Sequence, residues 1–135
     1  MRGALAYPVD DFQRWCRSRI LSFARAGKGI ALLITREWNF RIQLVLAAIA
    51  VALGFLLRIS KTEWLFLLIT ILIVLVAEAT NTAIERVTDL VEPKFDPIAR
   101  DAKDIGAAAV YLAAIGSVMV GIVIFAPHLW RIWFR

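Results

Sequence analysis

The sequence predicts an all-α membrane protein: three transmembrane helices preceded by an amphipathic surface helix, with the N-terminus in the cytoplasm. Three observations carry this expectation. The 135 residues are 61% hydrophobic with a mean hydropathy of +0.73, too apolar for an ordinary soluble domain. Three apolar stretches, 42–57, 64–84 and 105–130, are each long enough, or nearly so, to cross a hydrocarbon core of about 30 Å as a helix. The basic residues, finally, are unevenly distributed along the chain.

The first span is the shortest, and Arg41 and Arg58 flank it so that their charged ends can snorkel to either interface. Eight Lys or Arg residues precede it, and four more (Arg86, Lys94, Arg100, Lys103) lie between the second and third spans. The link after the first span holds Arg58 and Lys61, and the C-terminus holds Arg131 and Arg135. An odd number of spans therefore sets twelve basic residues on one side against four on the other. The positive-inside rule places the N-terminus and the second link in the cytoplasm.

Residues 1 to about 11 read as a disordered lead-in, and residues 1–19 show no apolar h-region or small-residue cleavage site for a secretory signal. From about 12 to 36, Phe12, Trp15, Ile20, Phe23, Ile30 and Leu33 interleave with Arg14, Arg17, Arg19, Arg25 and Lys28. That pattern predicts one or two amphipathic helices on an anionic leaflet, most of whose residues serve as a surface anchor. Gly27 and Gly29 flank Lys28 and predict a bend; the spacing of a P-loop is missing. In the second link, Asp96 followed by Pro97 predicts the N-cap and first residue of the third spanning helix. Ala109, Ala113, Ser117 and Gly121 then recur every four residues, a small-residue ridge suited to close helix packing.

Composition narrows the chemistry. The single Cys16 excludes an internal disulfide framework and a cysteine-rich zinc site. The single His128, at the far end of the third span, reads as an interfacial residue. The candidate site is instead a polar row, Glu78, Asn81, Glu85 and Asp89, whose offsets of 3, 7 and 11 residues from Glu78 put all four on one helical stripe. An acidic side chain within a bilayer costs roughly 2.5 kcal/mol or more unless it is paired or faces water. Glu37 and the Lys103–Asp104 pair fall at similar depth on neighbouring elements, although Glu37 by spacing alone is a solvated carboxylate at headgroup level. Carboxylates and amides without His or Cys are hard oxygen ligands that suit Mg²⁺. With a lysine for phosphate, the set fits phosphoryl transfer from ATP, Glu78 being the base for a lipid hydroxyl. A small ion or proton carrier that uses the same acids as a relay is the alternative of another class.

The segment 77–89, with its E-x-x-N-x-A-I-E-x-x-x-D pattern, and A-K-D at 102–104 closely resemble the prokaryotic diacylglycerol kinase family, which includes the undecaprenol kinases of Gram-positive bacteria. The resemblance runs from about residue 22 to 125 and leaves 1–20 as an N-terminal extension ahead of a membrane lipid kinase domain over 21–135. It implies that Glu78, Asn81 and Asp104 are catalytic, with Glu78 the base. Glu37 and Glu85 correspond to the pair that holds the metal of Mg-ATP. Lys103, Gly29 and Asp89 correspond to nucleotide-binding positions, and Arg17, Arg19 and Arg25 are candidates for a further nucleotide contact. The family also implies a homotrimer in the bacterial inner membrane, with its active site on the cytoplasmic side and no nucleic acid partner. Residues 37–43 resemble the E-x-N-F-R-I-H pattern of the undecaprenol kinases, with Gln43 where His is usual. The link over 95–104 also resembles theirs. Undecaprenol is therefore the favoured acceptor, with diacylglycerol as the alternative, giving phosphatidic acid.

Overall fold

A computed structural model describes residues 9–94 and 96–133. All regular structure among the described residues is α-helical: α1 (Val9–Arg36), α2 (Trp38–Leu57), α3 (Lys61–Val91) and α4 (Pro97–Trp133). α2, α3 and α4 are each long and apolar enough to cross a membrane. The chain divides into two compact units, one ending at Arg36 and the other starting at Glu37.

The first unit is α1, a single unbroken amphipathic helix of 28 residues. The expected bend at Gly27 and Gly29 does not form, because glycine weakens a helix without breaking it when the flanking residues keep helical geometry. The helix is already established at Val9 and takes in the last three residues of the expected lead-in; residues 1–8 of that lead-in lie outside the described residues. Phe12 stacks on Trp15 at 6.2 Å, and the Arg19 guanidinium lies 5.8 Å from the centre of the Trp15 ring. Apolar and cationic groups thus share one end of α1.

In the second unit every helix outruns its apolar stretch, since polar ends continue the helix once caps satisfy its terminal groups. α2 starts at Trp38, so the 37–41 segment forms its first turn, with Glu37 at the N-cap and Arg41 over the Trp38 ring at 4.7 Å. α2 ends on Arg58 in the left-handed region (φ 51°). The Ile59 amide donates to the Gly54 carbonyl and the Arg58 amide to that of Phe55, the paired bonds of a Schellman stop. Gly54 is required there: a Cβ would sit 2.9 Å from the Trp64 ring.

α3 opens with a capping box. The Ser60 hydroxyl accepts from the Glu63 amide at 3.3 Å, and Glu63 accepts from the Ser60 amide at 2.6 Å. Glu63 also meets His128 of α4 at 3.0 Å, so the expected interfacial histidine joins the start of α3 to the end of α4. At the other end, Asp96 accepts from the amides of Ile98 (2.8 Å) and Ala99 (3.0 Å), the predicted N-cap with Pro97 in the first helical position. Phe95, part of the link motif, lies outside the described residues.

The core is a seam. Leu67, Ile71, Val74, Glu78, Asn81 and Glu85 are covered or half-covered positions that recur along α3 at spacings of three and four. α4 answers with Gly106, Val110, Ala113, Ser117, Val120 and Ile124. The small-residue ridge therefore contributes only in part: Ala113, Ser117 and Gly121 are half-buried and Ala109 is exposed. Loss of the cap in Ser60→Ala should cost about 1 kcal/mol, read as a lower Tm of the purified protein in detergent; an unchanged Tm would show that the capping box does not hold this end of the bundle.

Candidate active site

Glu78 is the most enclosed carboxylate of the described chain, with 4% of its surface exposed. It reaches that position because 67, 71, 74 and 78 lie on the inner stripe of α3, which α2 and α4 cover. Gln43 of α2 donates from Nε2 to Glu78 Oε2 at 3.2 Å. Asn39, one turn earlier on α2, also faces it. The like-charged carboxylates of Glu37 and Glu85 are its electrostatic neighbours. Three acids from the ends of α2 and α3 thus converge, as the sequence expects.

Each of the two outer acids has a partner. Asn81, 6% exposed, donates from Nδ2 to Glu85 Oε1 at 2.8 Å, one helical turn on. Glu37 accepts an ion-paired hydrogen bond from Arg86. Arg86 follows Glu85 in sequence, but the 100° step of the helix turns it toward α2. The sequence counted it only as a charge of the second link, and nothing in its spacing marks it as a partner of Glu37.

The other candidates fall into separate groups. Lys103 of α4 pairs with Asp89 of α3, the outermost member of the predicted stripe. Asp104 is well exposed and lies 3.7 Å from Arg100 one turn back; the structure does not bring it to Glu78. Gly29 lies within α1, where a Cβ would meet nothing within 4 Å.

Two residues that sequence reasoning passed over complete the geometry. A Cβ on Gly106 would stand 2.5 Å from the Asn81 side-chain oxygen, so glycine is what lets α4 pass over that amide. Gln43 is the other, seen in the sequence only as a departure from a histidine. Its contact with Glu78 spans two helices, and neither spacing nor composition encodes it.

Glu78, Asn39 and Gln43 form the polar end of a groove of about 450 Å³ between α2, α3 and α4. The remaining wall is almost wholly apolar, from Leu46 and Leu75 down to Leu67 and Phe125. Its two hydroxyls, Thr70 and Ser117, donate to their own helices at Phe66 (2.7 Å) and Ala114 (2.8 Å). Eleven residues separate Leu67 from Glu78 on α3, a rise of about 16 Å. The groove can therefore receive an apolar chain whose polar head meets a carboxylate.

No group of three or more acidic, His or Cys side chains among the described residues is placed to hold a metal ion. Glu37 and Glu85 instead offer two carboxylates, each already oriented by a nitrogen donor. Two hard oxygen donors suffice for a cation that completes its shell with substrate phosphates and water, so these residues fit Mg²⁺.

Three helices able to span a membrane, with a buried acid at the head of an apolar groove, place the chain in the class of small all-α membrane proteins. Residues 24–125 match the family model described as prokaryotic diacylglycerol kinase, and the chain belongs to that family of lipid kinases. The undecaprenol kinase of Bacillus subtilis (strain 168) is 38% identical to it over 108 residues, 80% of this chain and 88% of that protein. A diacylglycerol kinase from Synechocystis sp. is 34% identical over 111 residues; the match spans 82% of this chain but only 63% of that protein. A diacylglycerol kinase from Haemophilus influenzae is 32% identical over 100 residues, 73% of this chain and 85% of that protein.

Gly106→Ala should displace the Asn81 amide and with it Glu85, lowering kinase turnover about 100-fold, the scale of a 1 Å misplacement. Helical content by circular dichroism should stay at the wild-type value. Wild-type turnover in this variant would show that Asn81 does not set the position of Glu85.

Proposed function

We propose that the protein transfers the γ-phosphate of ATP to the hydroxyl of a membrane lipid, with undecaprenol as the acceptor. The observation that carries this is the buried Glu78 carboxylate at the polar end of an apolar groove. A lipid lying in the groove presents its hydroxyl to Glu78, which takes the proton as general base. The hydroxyl oxygen bonds to the γ-phosphorus, the bond from that phosphorus to the β-phosphate oxygen breaks, and ADP leaves. Glu37 and Glu85 would hold Mg²⁺, whose charge offsets that of the phosphates when bound. Asn81 keeps the Glu85 carboxylate in place. Lys103, paired with Asp89, contributes positive charge toward the phosphates.

Two facts favour undecaprenol over diacylglycerol. The groove wall beyond Glu78, Asn39 and Gln43 is almost wholly apolar, which suits a prenyl chain ending in one hydroxyl better than the two ester groups of diacylglycerol. The relative at 38% identity, moreover, is named an undecaprenol kinase. The active end of the bundle lies on the cytoplasmic side, where twelve basic residues gather under the positive-inside rule. In this reading the enzyme is a bacterial inner-membrane homotrimer of 21–135 lipid kinase domains, with 1–20 as an extension. Membership of a kinase family supports this enzyme over the ion carrier.

Glu78→Gln should lower turnover by about 10²–10⁴, the share a positioned base supplies, and leave nucleotide binding in place. A variant turning over at the wild-type rate would remove Glu78 from the mechanism. Glu85→Gln should instead raise the apparent KM for Mg-ATP, measured by varying nucleotide at saturating lipid; an unaltered KM would count against its metal role.

A further inference from the structure

The hydrogen bond between α2 and the buried carboxylate points to a role for Gln43 that family membership does not assign. We propose that Gln43 is the positioning residue for the Glu78 base: its amide holds the carboxylate toward the head of the groove in the form that can accept a proton. This rests on the reading of Glu78 as the base.

Three features support it. Gln43 Nε2 donates to Glu78 Oε2 at 3.2 Å, a bond that is strongest when its acceptor is an ionised carboxylate. Gln43 Oε1 is buried with no hydrogen-bond partner. An unpartnered buried carbonyl is unfavourable, and an apolar side chain of the same shape would avoid it. Turning the amide over would set its oxygen against the carboxylate oxygen, so the contact with Glu78 fixes which way it faces. Finally, Gln43 and Glu78 both line the polar end of the groove, so a lipid hydroxyl arriving there meets a carboxylate whose orientation α2 has already set. Little of the orientation then has to be paid for during reaction.

The test is steady-state kinetics of the full chain in mixed micelles with undecaprenol, ATP and Mg²⁺. Gln43→Leu and Gln43→Met remove the donor and keep most of the volume; Gln43→His keeps an N–H donor. The two apolar variants should lose about 10- to 100-fold in kcat, part of what a positioned base supplies, with KM for lipid and for ATP within about twofold of wild type. Their Tm should stay within a few degrees of wild type, because removing the unpartnered carbonyl offsets the hydrogen bond lost to Glu78. Gln43→His should recover most of kcat.

Wild-type kcat in either apolar variant, or a loss confined to the lipid KM, would overturn the proposal and leave Gln43 as groove wall. A histidine variant as slow as the apolar ones would overturn the donor role. Glu78→Gln, run alongside, separates the two readings. If it is active, the base assignment fails and the role of Gln43 fails with it. If it is inactive while Gln43→Leu is normal, only the role of Gln43 is lost.

Discussion

The structure depends on one constraint: a carboxylate, Glu78, is held away from water in a bundle of membrane-length helices. A bare acid in that setting is costly, and its surroundings answer the cost locally. Gln43 gives it a hydrogen bond from α2. Its acidic neighbours are tied off by nitrogen donors, Glu85 by Asn81 and Glu37 by Arg86. The polar groups stay at one end of the seam, and the rest of the seam is apolar. Without the buried acid, α2, α3 and α4 would need neither the amides facing it nor the glycine over Asn81.

The same constraint sets how closely the helices pack. Asn81 can turn its amide to Glu85 only if α4 passes without a side chain above it, and Gly106 provides that passage. At the opposite end, the Ser60–Glu63 capping box and His128 tie α3 to α4. The stop on Arg58, with Gly54 beneath Trp64, fixes the turn from α2 into α3. The bundle is pinned at its far end by caps and at its Glu78 end by polar contacts, and the groove lies between them.

Much of this was legible in the sequence. Hydrophobic runs alone gave the three long helices, since length and hydropathy need no partner to be read. The stripe from Glu78 to Asp89 followed from helical periodicity, and Asp96 with Pro97 from capping chemistry. The apolar stretches end short of their helices because polar residues such as Thr88 and Arg131 continue a helix without continuing its apolar run. The roles of Arg86, Gln43 and Gly106 were not legible for a different reason: each matters through a contact on another helix, which periodicity along one helix does not encode. Asp104 shows the converse. Its motif draws it toward the site, but within one chain its carboxylate turns outward to Arg100.

The central claim is that the groove delivers a prenyl alcohol to Glu78. It is tested most directly by following labelled γ-phosphate from ATP with purified protein in mixed micelles, offering undecaprenol and diacylglycerol separately. Phosphorylated undecaprenol should form at the higher rate. Faster labelling of diacylglycerol would contradict undecaprenol as the acceptor, and transfer to neither lipid would contradict the site itself.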